Sequence, residues 1–231
     1  APQGDFSSLR VLSDAALAVT RLDVGVAGSA DLILKECLVQ TARLRVGYAP
    51  IDALDTYSGR LELRGNVTLE GDLFELQGAL ELAGPASPMQ FNSFVIDDLG
   101  QANFPGNAGQ VENSGLLQVA SGGATISGDY IQAGEGESIS GRLQVRRDPL
   151  SGQLNRLQIV GAAQLAGGLE IVWPYGATPA NSELLSAGSI SGEFPVRRFI
   201  GGDGTSAVKV SESSPLGASV LRLEDAGSAD P

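Results

Sequence analysis

Between Gly128 and Phe194 the apolar residues come in four short runs: Leu143 and Val145; Leu157, Ile159 and Val160; Leu169 to Val172; Leu184 and Leu185. Gly141, Pro149, Gly161, Gly167, Gly168, Pro174, Gly176, Gly188 and Gly192 separate them. No run is long enough for a helix, and each alternates in part with polar residues. That pattern predicts short strands closed by tight turns.

The same grammar extends towards the N-terminus. Leu9 and Val11, Leu17 and Val19, Leu22, Val24 and Val26, Leu32 and Leu34, then Leu44 and Val46 are aliphatic pairs at alternate positions. In a strand such pairs point to one face, so each predicts one buried side. Ser13 to Val26 also has a helical alternative, with Ser13 as N-cap and alanines behind it, as a cap over the first coil. Val19, Thr20, Val24 and Val26 favour the strand. LELRGN, VTLEGD, LFELQG and ALELAG, from Leu61 to Gly84, form the clearest repeat, with glycines at 65, 71, 78 and 84.

Two stretches break the rhythm. Residues 48–58, rich in Asp and Tyr, read as a loop leaving the wall; residues 85–107, with Pro85, Pro88, Pro105 and three Phe, read as a second excursion pinned by its own aromatic cluster. Beyond Phe194, Val208 with Val210 and Val220 with Leu221 and Leu223 predict two last strands, and 225–231 a flexible tail. Nothing divides the composition in two, so residues 1–231 are expected to form a single domain.

Composition selects among all-β folds. The chain has 31 glycines but only 7 Phe, 4 Tyr and 1 Trp, which suits a solenoid that stacks aliphatic ladders and turns many corners better than a core built on aromatics. From Val111 to Leu223, the order G-D-Y-x-Q, an L-x-V strand, L-x-I-V-G-A-A-x-L-A-G-G-L-E-I, a P-x-x-x-x-L-L turn and S-I-S-G-x-F resembles the C-terminal part of bacterial autotransporter-type passengers. The resemblance implies a right-handed parallel β-helix (a β-solenoid), secreted or at the bacterial cell surface after removal of a signal peptide. It does not name an activity, since such passengers include enzymes, adhesins and stalks.

The net charge of −12 repels phosphate backbones, so no nucleic-acid partner is expected. No apolar run is long enough to span a membrane as a helix. Histidine is absent, which removes Ser-His-Asp and Cys-His nucleophiles and the usual zinc sites. Cys37, among Leu34, Leu38 and Val39, reads as a buried structural thiol.

Carboxylate chemistry survives these exclusions. Asp52 and Asp55 share a loop and Asp97 and Asp98 are adjacent; with Arg146 and Arg197 they are the residues a polysaccharide lyase or glycosidase would bring together. Their plainer reading is solvated loop acids. Gly201 to Gly204 around Asp203 has the wrong spacing for a calcium repeat and reads as a turn. Trp173, Pro174 and Tyr175 could stack on sugars, but a lone Trp at a strand end is expected under its own turn. Asn66 opens an N-x-T sequon that matters only in a eukaryotic secretory pathway. One Arg of each doublet, Arg146 with Arg147 and Arg197 with Arg198, is expected to face a turn or loop carboxylate.

The sequence therefore predicts a non-enzymatic structural or adhesive extracellular protein, with no catalytic, cofactor or metal residues assigned. Self-association through the β-helix ends, up to a surface fibre, and a cell-surface or polysaccharide partner are the interactions expected. A carbohydrate-active β-helix using loop carboxylates is the alternative.

Overall fold

The computed structural model describes residues 7–11, 15–25, 30–47, 59–64, 67–76, 78–83, 89–96, 101–104, 108–119, 123–134, 141–147, 152, 154–175, 182–202, 208–213 and 218–225. These residues are all-β, with no helix among them. The chain alternates between two sheets. Sheet A runs β1 (Ser7–Val11), β3 (Ala30–Lys35), β5 (Gly59–Arg64), β7 (Ala79–Ala83), β9 (Gln101–Phe104), β11 (Leu116–Val119), β14 (Arg142–Arg146), β17 (Gly168–Tyr175) and β20 (Val196–Gly202), every neighbour parallel.

Sheet B is made by the strands between them: β2 (Ala16–Val24), β4 (Leu38–Val46), β6 (Thr68–Leu76), β8 (Met89–Ile96) and β10 (Ala108–Asn113), again all parallel. After β10 the sheet divides. One branch continues through β12 (Ala124–Ile126), β15 (Leu157–Ile159) and β18 (Ser182–Ala187), the other through β13 (Tyr130–Gln132), β16 (Ala162–Leu165) and β19 (Ser189–Gly192). A path that adds one strand to each sheet per circuit is compatible with a β-solenoid.

The split in sheet B has a local cause visible in every coil. In β2, β4, β6, β8 and β10 the ladder skips one residue, successively Thr20, Ala42, Asp72, Asn92 and Gly109, so the strands bend at a shared column. Gly128, Gly161 and Gly188 follow at this bend in later coils. Asp129 stabilises the widened corner by accepting a hydrogen bond from the Ala162 N–H at 2.8 Å. Where sheet B passes into sheet A, a second corner is built of glycine on glycine. Gly47, at φ +75°, donates to Val24 O and Gly78 donates to Val46 O, while a Cβ on Gly78 would collide with the carbonyl of Gly59. Only glycine lets the backbones approach that closely.

Inside, residues stack in columns. Leu32, Leu61, Leu80, Ala102, Leu117, Leu143 and Leu169 share one register position of sheet A, all nearly or fully buried. In sheet B, Leu44, Phe74, Phe94, Val111, Tyr130 and Ala163 succeed one another, with the Phe74 and Phe94 rings 4.7 Å apart. The small Ala163 follows the largest side chain in the column, Tyr130, a size compensation of the kind close packing requires. Leu143, Val145, Leu157, Ile159, Leu169 and Ile171 all lie in this interior.

Several sequence expectations need correction. Within the excursion expected at 85–107, β8 and β9 pair on both sides as wall strands. Phe94, assigned to a satellite cluster, belongs to the interior column instead. The helical alternative at 13–22 gives way to β2, as the β-branched residues favoured. The two last strands exist but reverse direction: β22 (Ser219–Asp225) pairs antiparallel with β18, and β21 (Val208–Ser213) antiparallel with β22. This hairpin covers the β18 edge of the last coil, and Asp225 belongs to it rather than to a tail. The loop at 48–58 and residues 226–231 lie outside the described residues.

Candidate functional site

The polar side chains are organised most tightly on the outer face of sheet A. Strand alternation sends Leu61 and Leu63 inward, and therefore Arg60, Glu62 and Arg64 outward. Arg64 clasps Glu62 with two bonds, Nε to Oε1 at 2.6 Å and Nη2 to Oε2 at 3.0 Å, and Arg60 approaches the same carboxylate at 3.5 Å. The hydrogen bond from Arg64 holds the Glu62 carboxyl below the usual glutamate range; burial works against it, and the charges of Arg64, Arg60 and Arg10 add to it.

A second cluster lies four strands along the sheet, about 19 Å away at the usual spacing. Gln144 donates to Glu170 at 2.9 Å, Arg142 and Arg198 approach Glu170 at 3.4 and 3.9 Å, and Arg146 donates to Gln144 at 2.7 Å. In both clusters the carboxylate lies beneath the guanidiniums. The Glu62 and Glu170 side chains are 7% and 8% exposed, whereas Arg64 and Arg198 are 47% and 54% exposed. A partner approaching this face meets cations first.

Sequence reasoning missed these clusters, although a signal existed. Arg60-Leu61-Glu62-Leu63-Arg64 and Arg142-Leu143-Gln144-Val145-Arg146 share the pattern R-L-x-aliphatic-R. Register places the two copies in the same columns, Arg60 with Arg142 and Glu62 with Gln144. Only the register shows that they stand above one another on one face.

The anticipated carboxylates cannot be compared with this arrangement, because Asp52, Asp55, Asp97 and Asp98 lie outside the described residues, as do Asp203 and Asn66. Arg146 and Arg197 are not brought together. Arg146 faces outward on β14, while Arg197 follows Leu169 in the column that is interior elsewhere and donates to Phe194 O. Of each doublet, Arg197 does face a turn carboxylate, Glu193 at 3.6 Å, but Arg147 donates to Gly152 O and covers the Trp173 ring at 5.2 Å. Trp173 is interior and packs beside Phe199, so it offers no ring to a sugar. Cys37 is buried, and burial pushes its thiol up.

Two other features were weighed. A shallow groove of about 540 Å³ follows the bend of sheet B over Val19, Thr41 and Gly71, with Gln40 and Glu70 hydrogen-bonded to each other at its side. Inside the stack, Tyr130 donates to Gln132 Oε1 at 2.6 Å, and Asn113 donates to the Tyr130 hydroxyl and to Arg142 O, both at 3.1 Å. Gln132 Nε2 lies within hydrogen-bonding distance of the carbonyls of Gly141, Ala166 and Gly168. This network joins the wall strands and has no opening to a substrate among the described residues.

Comparison with known proteins finds no matching family model, no similar curated protein and no similar solved structure.

Proposed function

We propose that the chain is a non-enzymatic, extracellular structural or adhesive protein whose stacked coils are themselves the working part, in the form of a right-handed parallel β-helix. The observation that carries this reading is the use made of the polar residues. The Asn113–Tyr130–Gln132 network ties successive coils together inside, and Glu170, held by Gln144 and Arg142 on one neighbouring strand and approached by Arg198 on the other, ties them together outside. The resemblance of Val111 to Leu223 to autotransporter-type passengers supports the same reading and a location at the bacterial surface.

Self-association through the ends belongs to this reading in narrowed form. Among the described strands β1, β2, β19, β20 and β21 are edges, and β21 belongs to the antiparallel hairpin. Labelling of intact producing cells with an antibody to the chain should stain their surface, and incubation with polysaccharides should release no reducing or unsaturated ends. Staining only after lysis would overturn the location, and steady product release would establish the carbohydrate-active alternative.

A further inference from the structure

We propose that the outer face of sheet A is a docking surface for an extended acidic polysaccharide, one bearing carboxylates at regular intervals along its chain. The proposal rests on the adhesive reading and adds to it the face and the ligand class.

The chain carries 15 Lys and Arg against 27 Asp and Glu, yet the balance reverses on this face. The first cluster presents Arg60 and Arg64, with Lys35 exposed on the adjacent β3 and Arg10 on β1 beyond it. The second presents Arg142, Arg146 and Arg198. The register positions of the face also hold Asp31, Glu62, Glu81 and Glu170, so cations exceed anions there, seven to four. Of those acids, Glu62 and Glu170 are covered by the arginines that bind them.

The geometry selects the ligand. Guanidinium pairs with carboxylate through planar, two-bonded contacts, and arginines already held by a buried carboxylate lose less freedom on binding. Between the clusters, the stretch of β7, β9 and β11 carries no cation. A small anion therefore gains only one cluster, whereas a chain long enough to cover about 19 Å gains both. Gln118, half-buried on this face, offers an amide suited to hydroxyl groups. A protein partner is less well served: Ile200 is the one strongly exposed large hydrophobic on the face among the described residues, and protein interfaces are anchored by buried apolar and aromatic groups. A nucleic acid would bring a far denser charge against the surrounding acidic surface.

The test uses the whole chain and polygalacturonate, with oligogalacturonates of increasing length, measured by isothermal titration calorimetry at low and physiological salt. Affinity should rise steeply once the oligomer can span both clusters, fall with salt, and be absent for neutral dextran. Arg142→Gln with Arg146→Gln should weaken binding of the long polymer by about tenfold or more while leaving short oligomers much less affected. Because baring Glu170 could impair folding, Arg10→Gln with Lys35→Gln, which leaves the Glu62–Arg64 pair in place, is the second variant and should weaken binding in the same manner. Arg21→Gln, whose partner Asp23 lies on sheet B, should bind like the parent chain.

Equal affinity of all variants, no dependence on length, or tighter binding of polyglutamate or duplex DNA than of polygalacturonate would overturn the docking site and leave the structural reading standing. Cleavage of the bound polymer would overturn the non-enzymatic reading and leave the docking site in place.

Discussion

Asn113 and Gln132 stand opposite one another in register on β10 and β13, in the column that four earlier coils fill with Val24, Val46, Leu76 and Ile96. The switch from aliphatic to amide is tolerated because the Tyr130 hydroxyl and the corner carbonyls engage both amides, leaving only the Asn113 Oδ1 without a partner. Gln132→Leu removes the acceptor of the Tyr130 hydroxyl and the donor to those carbonyls, and should cost about 1–3 kcal/mol. Asn113→Leu should cost less, because the Asn113 Oδ1 has no partner to lose. Urea denaturation of both variants checks the order.

Tyr130 itself gives a signature in alkali. Burial pushes its phenol well above the ordinary value, the hydrogen bond from Asn113 opposing in part. As pH rises through the ordinary tyrosine pKa of about 10, the unfolded chain releases this proton and the folded chain keeps it. Stability should therefore fall with pH in that range, and less so in Tyr130→Phe, as read from urea midpoints.

At the acid end Glu62 acts in the opposite sense. Its folded pKa is depressed, so its contribution is present in full above the ordinary glutamate value and is lost as pH falls through the depressed one. Glu62→Gln should flatten this part of the stability profile, and nuclear magnetic resonance titration of the Glu62 carboxyl should show its midpoint below that of an exposed glutamate. A midpoint in the ordinary range would remove the basis of this prediction.

The glycine corner is open to a direct test. Gly78→Ala places a methyl group against the Gly59 carbonyl and should destabilise by about 1–3 kcal/mol, seen as a lower melting temperature. Leu143→Asp should cost more, about 3 kcal/mol or above, because the charge enters the column between Leu117 and Leu169 without a partner. Soluble, cooperatively melting Leu143→Asp protein would show that the column is misplaced.

Cys37 should be silent in the native state. Buried, with its thiol raised by burial, it should react with a disulfide reagent only once the chain is unfolded by denaturant.

Much of the fold was legible because strand alternation and glycine corners are local signals. Leu143 with Val145 and Leu169 with Ile171 could be assigned to the interior from spacing alone, and they pair in register there. Three things were not legible. Prolines around β8 and β9, and their polar and aromatic residues, hid two wall strands, because the sequence marks corners without saying how far they depart from the wall. The reversal at β21 and β22 was hidden because a period of two reads the same in either direction. The arginine clusters were hidden because they arise between strands far apart in sequence, whose alignment depends on the length of every corner in between.

That length varies widely. Nearly twice as many residues separate Leu32 from Leu61 as separate Ala102 from Leu117, yet each pair marks neighbouring positions of one column or a single step along it. Axial distance is therefore counted in circuits, about 4.8 Å each, and is indifferent to how much chain a circuit spends. Sequence inserted at a corner thickens the body without moving the arginine clusters apart, whereas one whole circuit inserted between β7 and β11 would separate them by a single further increment. The molecule keeps its length in one coordinate and its freedom to vary in another.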